Sequence, residues 1–200
     1  MSARARAPGG QRGLVLISSL LLLLIITILA VSMFRSFGIQ ERIAGNIREK
    51  QRATHAAEVA MQYAEWWLTF GSNSLQPAIS CTTLLSANLG EGQICASTLQ
   101  SAGIAPASVP WTASGAQVGV SYVPLQSDSA LQMNVQATNP APNTYAQAPV
   151  FYISYLGTCA DGQGSCYQID AAGYGGTSSA VSVVESTYEI SSGVTNLGGP

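Results

Sequence analysis

Apolar and polar positions divide this chain into three stretches with different periodicities. Residues 13–34, GLVLISSLLLLLIITILAVSMF, run for 22 positions without a charged side chain. At about 1.5 Å of rise per residue, a helix of this length covers the ~30 Å hydrocarbon core of a bilayer. Its hydroxyls, Ser18, Ser19, Thr27 and Ser32, can bond back to the preceding turn and so do not oppose insertion. A secretory signal has a shorter apolar region, about 7–15 residues, followed by small residues at a cleavage site. This run is longer and passes into a helical pattern without a turn signal, which favours a retained anchor.

Through residues 35–70 the apolar positions recur at helical spacing. Ile39, Ile43 and Ile47 come first, then Ala53, Ala57, Ala60, Ala64, Trp67 and Leu68. Arg42, Glu49, Arg52, Glu58 and Glu65 mostly take other faces. No proline interrupts the stretch. Gly38 and Gly45 weaken it locally by about 1 kcal/mol each relative to Ala. Gly71, followed by Ser-Asn-Ser, is a stop signal. The pattern predicts one helix over 14–70, on the order of 85 Å long, apolar all round in its first half and amphipathic in its second. An Ala-rich stripe ending in Trp66-Trp67 suits packing beneath a sheet better than a self-pairing coiled-coil seam.

After Gly71 the period falls to two. Strands are expected at 117–123, 130–137, 150–156, 166–171 and 180–190. Val118, Val120 and Tyr122 alternate with polar or small residues, as do Leu131, Met133 and Val135, and Tyr167 and Ile169. Such alternation fits an antiparallel sheet with one covered face, and the apolar side of the long helix is the natural cover. Residues 71–116 and 138–149 read as loops broken by Pro106, Pro110, Pro140, Pro142 and Pro149. Gly173, Gly175 and Gly176 read as a hairpin turn.

Charge sharpens this picture. All seven Arg and the single Lys lie at or before Arg52, whereas 71–200 carries Glu91, Asp128, Asp161, Asp170, Glu185 and Glu189 and no base. Neutralising phosphates needs the opposite sign, so nucleic-acid binding by the C-terminal part is disfavoured. Arg4, Arg6 and Arg12 precede the apolar run with no acid among them, and the positive-inside rule places that end in the cytoplasm. Residues 71–200 then lie in the periplasm or beyond. The four cysteines agree with export: Cys81 and Cys95 bracket one stretch, and Cys159 and Cys166 bracket the turn-like ADGQGS. Two local disulfides are the natural pairing in an oxidising compartment, although four cysteines allow three connectivities. Zinc is disfavoured, with no CxxC pair and a single histidine, His55. His55, Glu58 and Glu65 read as a solvated helix face. Asp161-Gly162-Gln163-Gly164-Ser165 lacks the repeated acids of a calcium loop. Serine chemistry would need a base, and 71–200 holds no His, Lys or Arg. No catalytic, cofactor-binding or metal site is expected.

The stretch QRGLVLISSLLLLLIITILAVSMFRSFGIQERIAGNIREKQRATHAAEVAMQYAE resembles the N-terminal region of the PilX family of minor type IV pilins. The likeness rests on a basic leader ending in Arg12-Gly13, the apolar helix, Glu41-Arg42-Ile43-Ala44-Gly45-Asn46 and Ala56-Ala57-Glu58. The run YQIDAAGYGGTSSAVSVVESTYEI is similar to the strand, glycine turn and final strand that end that family. The resemblance implies an α+β pilin fold and work in assembly rather than catalysis. Prepilin peptidase would recognise Arg12, cut after Gly13 and methylate the new amine of Leu14, where pilins more often carry Phe or Met. Implied partners are other minor pilins, the major pilin, a large tip adhesin and the inner membrane. Most major pilins carry Glu as the fifth residue after the cut; here it is Ser18. A buried carboxylate is costly without a cationic partner such as a neighbouring N-terminal amine. A subunit that begins a filament has no earlier amine to neutralise, so Ser18 suits an initiating or tip subunit.

The expected organisation is therefore a cleaved leader over 1–13, a membrane and filament-core helix over 14–34, the amphipathic half of that helix over 35–70, and a disulfide-stapled sheet domain over 71–200. Two rivals share these features. One is a tip-type pseudopilin of a type II secretion system; the other is a permanently anchored periplasmic binding protein.

Overall fold

The computed structural model describes residues 12–84, 91–122, 133–135 and 144–191. One helix, α1, spans Arg12–Thr69. Gly38 and Gly45 do not interrupt it. It ends where Gly71 takes the left-handed conformation, φ 62°, which glycine reaches without steric cost. A short 3-10 turn follows at Asn73–Leu75. The chain forms two compact units, Met1–Gly45 and Asn46–Pro200, and α1 contributes to both.

In the second unit the strands are β1 (Ile94–Cys95), β2 (Thr112–Ala113), β3 (Ala116–Gln117), β4 (Val120–Ser121), β5 (Val150–Thr158), β6 (Gly164–Tyr174) and β7 (Val181–Ser191). The main sheet runs β1-β5-β6-β7, with β4 on the same edge of β5 as β1. The layout is the expected α+β one, a long helix packed on a largely antiparallel sheet. Three long strands make an antiparallel meander: β5 pairs with β6 through Val150↔Ala172 to Thr158↔Ser165, and β6 with β7 through Gly164↔Ser191 to Tyr174↔Val181. The exception to antiparallel pairing is β1, which lies parallel to β5 through Ile94↔Ile153.

Several expectations need correction. The expected strand over 117–123 is instead two short pieces, β3 and β4, separated at Gly119, whose position faces Trp111 and Val150. The region read as a loop over 71–116 holds β1 and β2, each too short to show a two-residue period. Gly173 belongs to β6 rather than to the turn. Of the strand expected at 130–137, residues 133–135 are described, and Val135 bridges to Tyr145; the remainder lies outside the described residues, as do residues 1–11.

At β5 and the neighbouring end of β6 the sheet is covered on both faces, not one, while Glu185, Thr187 and Glu189 of β7 stay exposed. Against α1 lie Phe151, Ile153, Tyr167, Ile169 and Ala171, which meet Ala60, Ala64, Trp67 and Leu68. On the opposite face Val150, Tyr152 and Ala172 are covered by Leu99, Ile104, Trp111 and Val118. Two-sided burial is why β6 reads as IDAAGY without clean alternation. The helix comes close because its contact row is small. Ala53, Ala56, Ala57, Ala60 and Ala64 are fully buried, and a Cβ at Gly173 would lie 2.3 Å from both the Ala53 carbonyl oxygen and the Ala57 amide nitrogen. Gly92 plays the same part for Trp67, whose ring would lie 2.6 Å from an added Cβ.

Candidate assembly surface

The first stretch of α1 presents exposed apolar side chains. Leu21 is 56 % exposed, and Leu14, Ile17, Leu24, Ile28 and Phe34 are likewise exposed. Among the described residues this helix is the one long and apolar enough to cross a membrane. Leucine and isoleucine side chains at this density gain free energy only when lipid or protein covers them. The hydroxyls of Ser18, Ser19 and Thr27 are satisfied within the helix. Ser18 Oγ donates to the Val15 carbonyl at 3.0 Å, Ser19 Oγ to Leu16 at 2.9 Å and Thr27 Oγ1 to Leu24 at 2.8 Å. Ser18 also lines a shallow apolar groove with Leu14, Ile17, Leu21, Leu22 and Ile25. Its position is therefore neutral, with its one polar group already bonded.

Within the second unit, a polar seam fixes the helix to the β6–β7 turn. Glu49 Oε2 accepts from the Gly176 amide at 2.5 Å, and Glu49 Oε1 pairs with the Arg52 guanidinium at 3.1 Å. The Gly176 amide, more than Arg52, holds the Glu49 carboxyl below its usual range. Arg52 also donates to the Thr144 carbonyl at 2.5 Å and stacks 4.9 Å over the Tyr145 ring. Lys50 Nζ donates to the Val181 carbonyl, and Thr54 Oγ1 to Ser182 Oγ. The positive side chains at the end of the basic region thus serve the fold. A Cβ at Gly176 would lie 2.8 Å from Glu49 Oε2, so glycine there lets the amide reach the carboxylate.

The other candidate residues are scattered rather than gathered into one site. Arg12 and Gly13 open α1, and Leu14 begins its exposed apolar run. Cys81 is bonded to Cys95 and Cys159 to Cys166. The Cys159 and Cys166 sulfurs lie near the Glu189 carboxylate of β7, but two sulfurs bonded to each other offer no thiolate for a metal. His55 and Glu58 are exposed on α1 and Glu65 is half-buried. Asp161 Oδ1 accepts from the Gln163 amide at 3.0 Å inside the disulfide-closed turn, a local turn bond.

Sequence reasoning missed Asp170. It is fully buried on the sheet face away from α1, opposite Tyr152 on β5 and Glu185 on β7. Gln168 Nε2 donates to both its carboxylate oxygens, at 3.3 and 3.2 Å. Burial pushes its pKa up from 3.8 to about 6, against the Gln168 bond and with help from Glu185. An acid inside an otherwise apolar strand run was the available signal.

Residues 12–65 match the family model described as PilX N-terminal. The match is consistent with a PilX-family type IV pilin. No curated protein and no solved structure matches the chain. The match points to a structural component of a pilus rather than an enzyme, and to assembly with other pilins. With the exposed apolar helix, it is compatible with membrane anchoring and pilus localisation.

Proposed function

We propose that this chain is a minor type IV pilin that helps start a filament and sits at or near its tip. The observation that carries the reading is the match over 12–65 to a helix whose first stretch is apolar and uncovered while its second is built into a domain. In this reading residues 14–34 hold the subunit in the inner membrane and later enter the filament core, trading lipid contacts for those of neighbouring helices. Prepilin peptidase recognises the leader at Arg12, cuts between Gly13 and Leu14 and methylates Leu14. A large tip adhesin and other minor pilins are the proposed partners of residues 71–200.

Ser18 supports the tip position. Its hydroxyl is satisfied within α1, so it needs no cation from a preceding subunit, whereas a buried glutamate would cost several kcal/mol if left unpaired. Mass spectrometry of the mature protein is the test. The expected N-terminus is methyl-Leu14; an intact Met1 or Ser2 would point to the plain anchored binding protein instead. For the finer claim, Ser18→Glu should reduce filament number and tip incorporation. Unchanged piliation and unchanged placement by immunogold labelling would remove the tip assignment and leave the pilin reading standing.

A further inference from the structure

Apart from the apolar helix, the main sheet carries a second uncovered feature: its two edges are treated differently. On one side β5 is partly covered by β1 and β4. On the other side β7 ends the sheet, and among the described residues it pairs with β6 alone. This edge is long and regular. It spans Val181–Ser191, VSVVESTYEIS, in unbroken register with β6. Edge strands are ordinarily blunted by shortness, charged side chains, proline or a bulge; β7 is long and has no proline or bulge, and its charges are Glu185 and Glu189 alone. Its composition of Val, Thr, Tyr and Ile is that of a strand ready to pair.

The ladder fixes which backbone groups are on offer. The Gly175 amide donates to the Ala180 carbonyl at 2.7 Å, so hydrogen-bonded and non-bonded pairs alternate from that point along β6 and β7. Val181, Val183, Glu185, Thr187 and Glu189 then occupy non-bonded pairs and direct their amides and carbonyls away from β6. Lys50 Nζ already takes the Val181 carbonyl. Val183, Glu185, Thr187 and Glu189 remain as a consecutive outward ladder. Their side chains share the face away from α1, where Glu185, Thr187 and Glu189 are exposed.

Charge decides what can pair there. A second copy would meet an acidic domain, since 71–200 contains no basic residue. In an antiparallel pair centred on Thr187, Glu185 would lie against Glu189 of the other copy, and directly opposed like charges destabilise a sheet. We infer that the free edge of β7 is a docking edge for an extended strand of another protein, one carrying Lys or Arg at positions i and i+4 to face Glu185 and Glu189. Backbone bonds would supply the affinity and the two acids the selectivity, as in other cases of strand addition. Such docking goes beyond the pilin reading and does not depend on it.

The test uses the full-length protein in detergent micelles and a capped synthetic peptide, Thr-Val-Lys-Val-Thr-Val-Lys-Val-Thr, with a control carrying Glu in place of both Lys. Fluorescence anisotropy should show the basic peptide binding about tenfold more tightly than the acidic one. Hydrogen exchange should slow at the Val183, Glu185, Thr187 and Glu189 amides when it binds. Thr187→Pro removes an amide that β6 does not use and should weaken binding about tenfold. The paired change Glu185→Lys and Glu189→Lys should reverse the peptide preference and serves if the proline variant does not fold. Equal binding of the two peptides, or protection elsewhere, would overturn the inference. So would edge amides already protected in the free protein, which would mean that the chain's own segments cover them. A dimer seen by sedimentation that Thr187→Pro dissolves would equally overturn it, in favour of a second copy as occupant.

Discussion

Two stretches of one helix make opposite use of apolar residues. In the first, Leu21 is 56 % exposed; in the second, Leu68 is fully buried. Both stretches are uninterrupted α-helix, so backbone propensity does not separate them. What differs is the face turned toward the sheet, where a row of alanines precedes the buried Trp67 and Leu68. The first is built of Leu and Ile, which cover much area and suit lipid or neighbouring helices. The second turns alanine toward the sheet, and alanine lets β6 approach until Gly173 rests against the backbone at Ala53 and Ala57. Alanine lines the contact nearest Gly173, with Trp67 and Leu68 buried further along the same helix. An uncovered stretch can exchange partners; a stretch packed backbone to backbone cannot.

The most severe way to break this contrast is at Gly173. Gly173→Leu would drive a side chain into backbone that has no room to shift. The expected loss is about 4 kcal/mol of unfolding free energy in urea, above the usual 1–3 kcal/mol of overpacking because the clash is with helix backbone. Leu21→Ala in the first stretch should leave the same unfolding transition unmoved. A mild effect at Gly173 would mean that the helix and sheet can separate, and the contrast would fail.

A comparison of carboxylates sharpens the same point, because Asp170 is buried on the face away from α1 with no basic residue in its own part of the chain, 71–200. Its folded-state pKa, about 6, lies above the ordinary 3.8. A raised acid binds a proton more readily folded than unfolded. Stability is therefore highest below about pH 4 on this account and falls as pH rises toward 6. Asp170→Asn keeps the shape and an acceptor for Gln168 while removing the charge. It should stabilise the domain by about 2 kcal/mol at pH 8 and by much less at pH 4. Urea titrations at the two pH values decide this. Equal destabilisation at both would show that the shape and hydrogen bonding of the side chain, rather than its charge, set its contribution to the strand.

The long helix was legible from the sequence because both of its signals are strong: an uncharged run over 13–34 and apolar spacing that continues to Leu68. The longest strands, β5, β6 and β7, were legible for the same reason of length. β1 was not, since two residues hold no period and its place comes from Ile94 pairing with Ile153 and from the Cys81–Cys95 bond. The second cover of the sheet was also hidden. Leu99, Ile104, Trp111 and Val118 are spread through loops, where burial is decided by tertiary contact rather than by spacing. Of the candidate site, Ser18 could be singled out because one position departs from a resembled pattern. The Glu49–Gly176 bond could not, because residues 127 positions apart in sequence leave no local mark.

Glu49 is the smallest and most local test of how the second stretch begins. Its carboxyl is held below the usual 4.5, chiefly by the Gly176 amide and then by Arg52. A depressed acid contributes stability that is present above its unfolded pKa and is lost as pH falls through the folded value. Glu49→Gln retains an oxygen for Gly176 but loses the charge that strengthens both bonds. Since the side chain is part-exposed, solvent screening limits the effect to about 1 kcal/mol at neutral pH. As the medium is acidified through the folded pKa, the wild-type carboxyl itself takes up a proton, and the difference should shrink toward zero. Urea unfolding of both proteins across an acid titration checks it. A loss that persists unchanged in acid would mean that shape at the β6–β7 turn, rather than charge, ties the helix to the sheet.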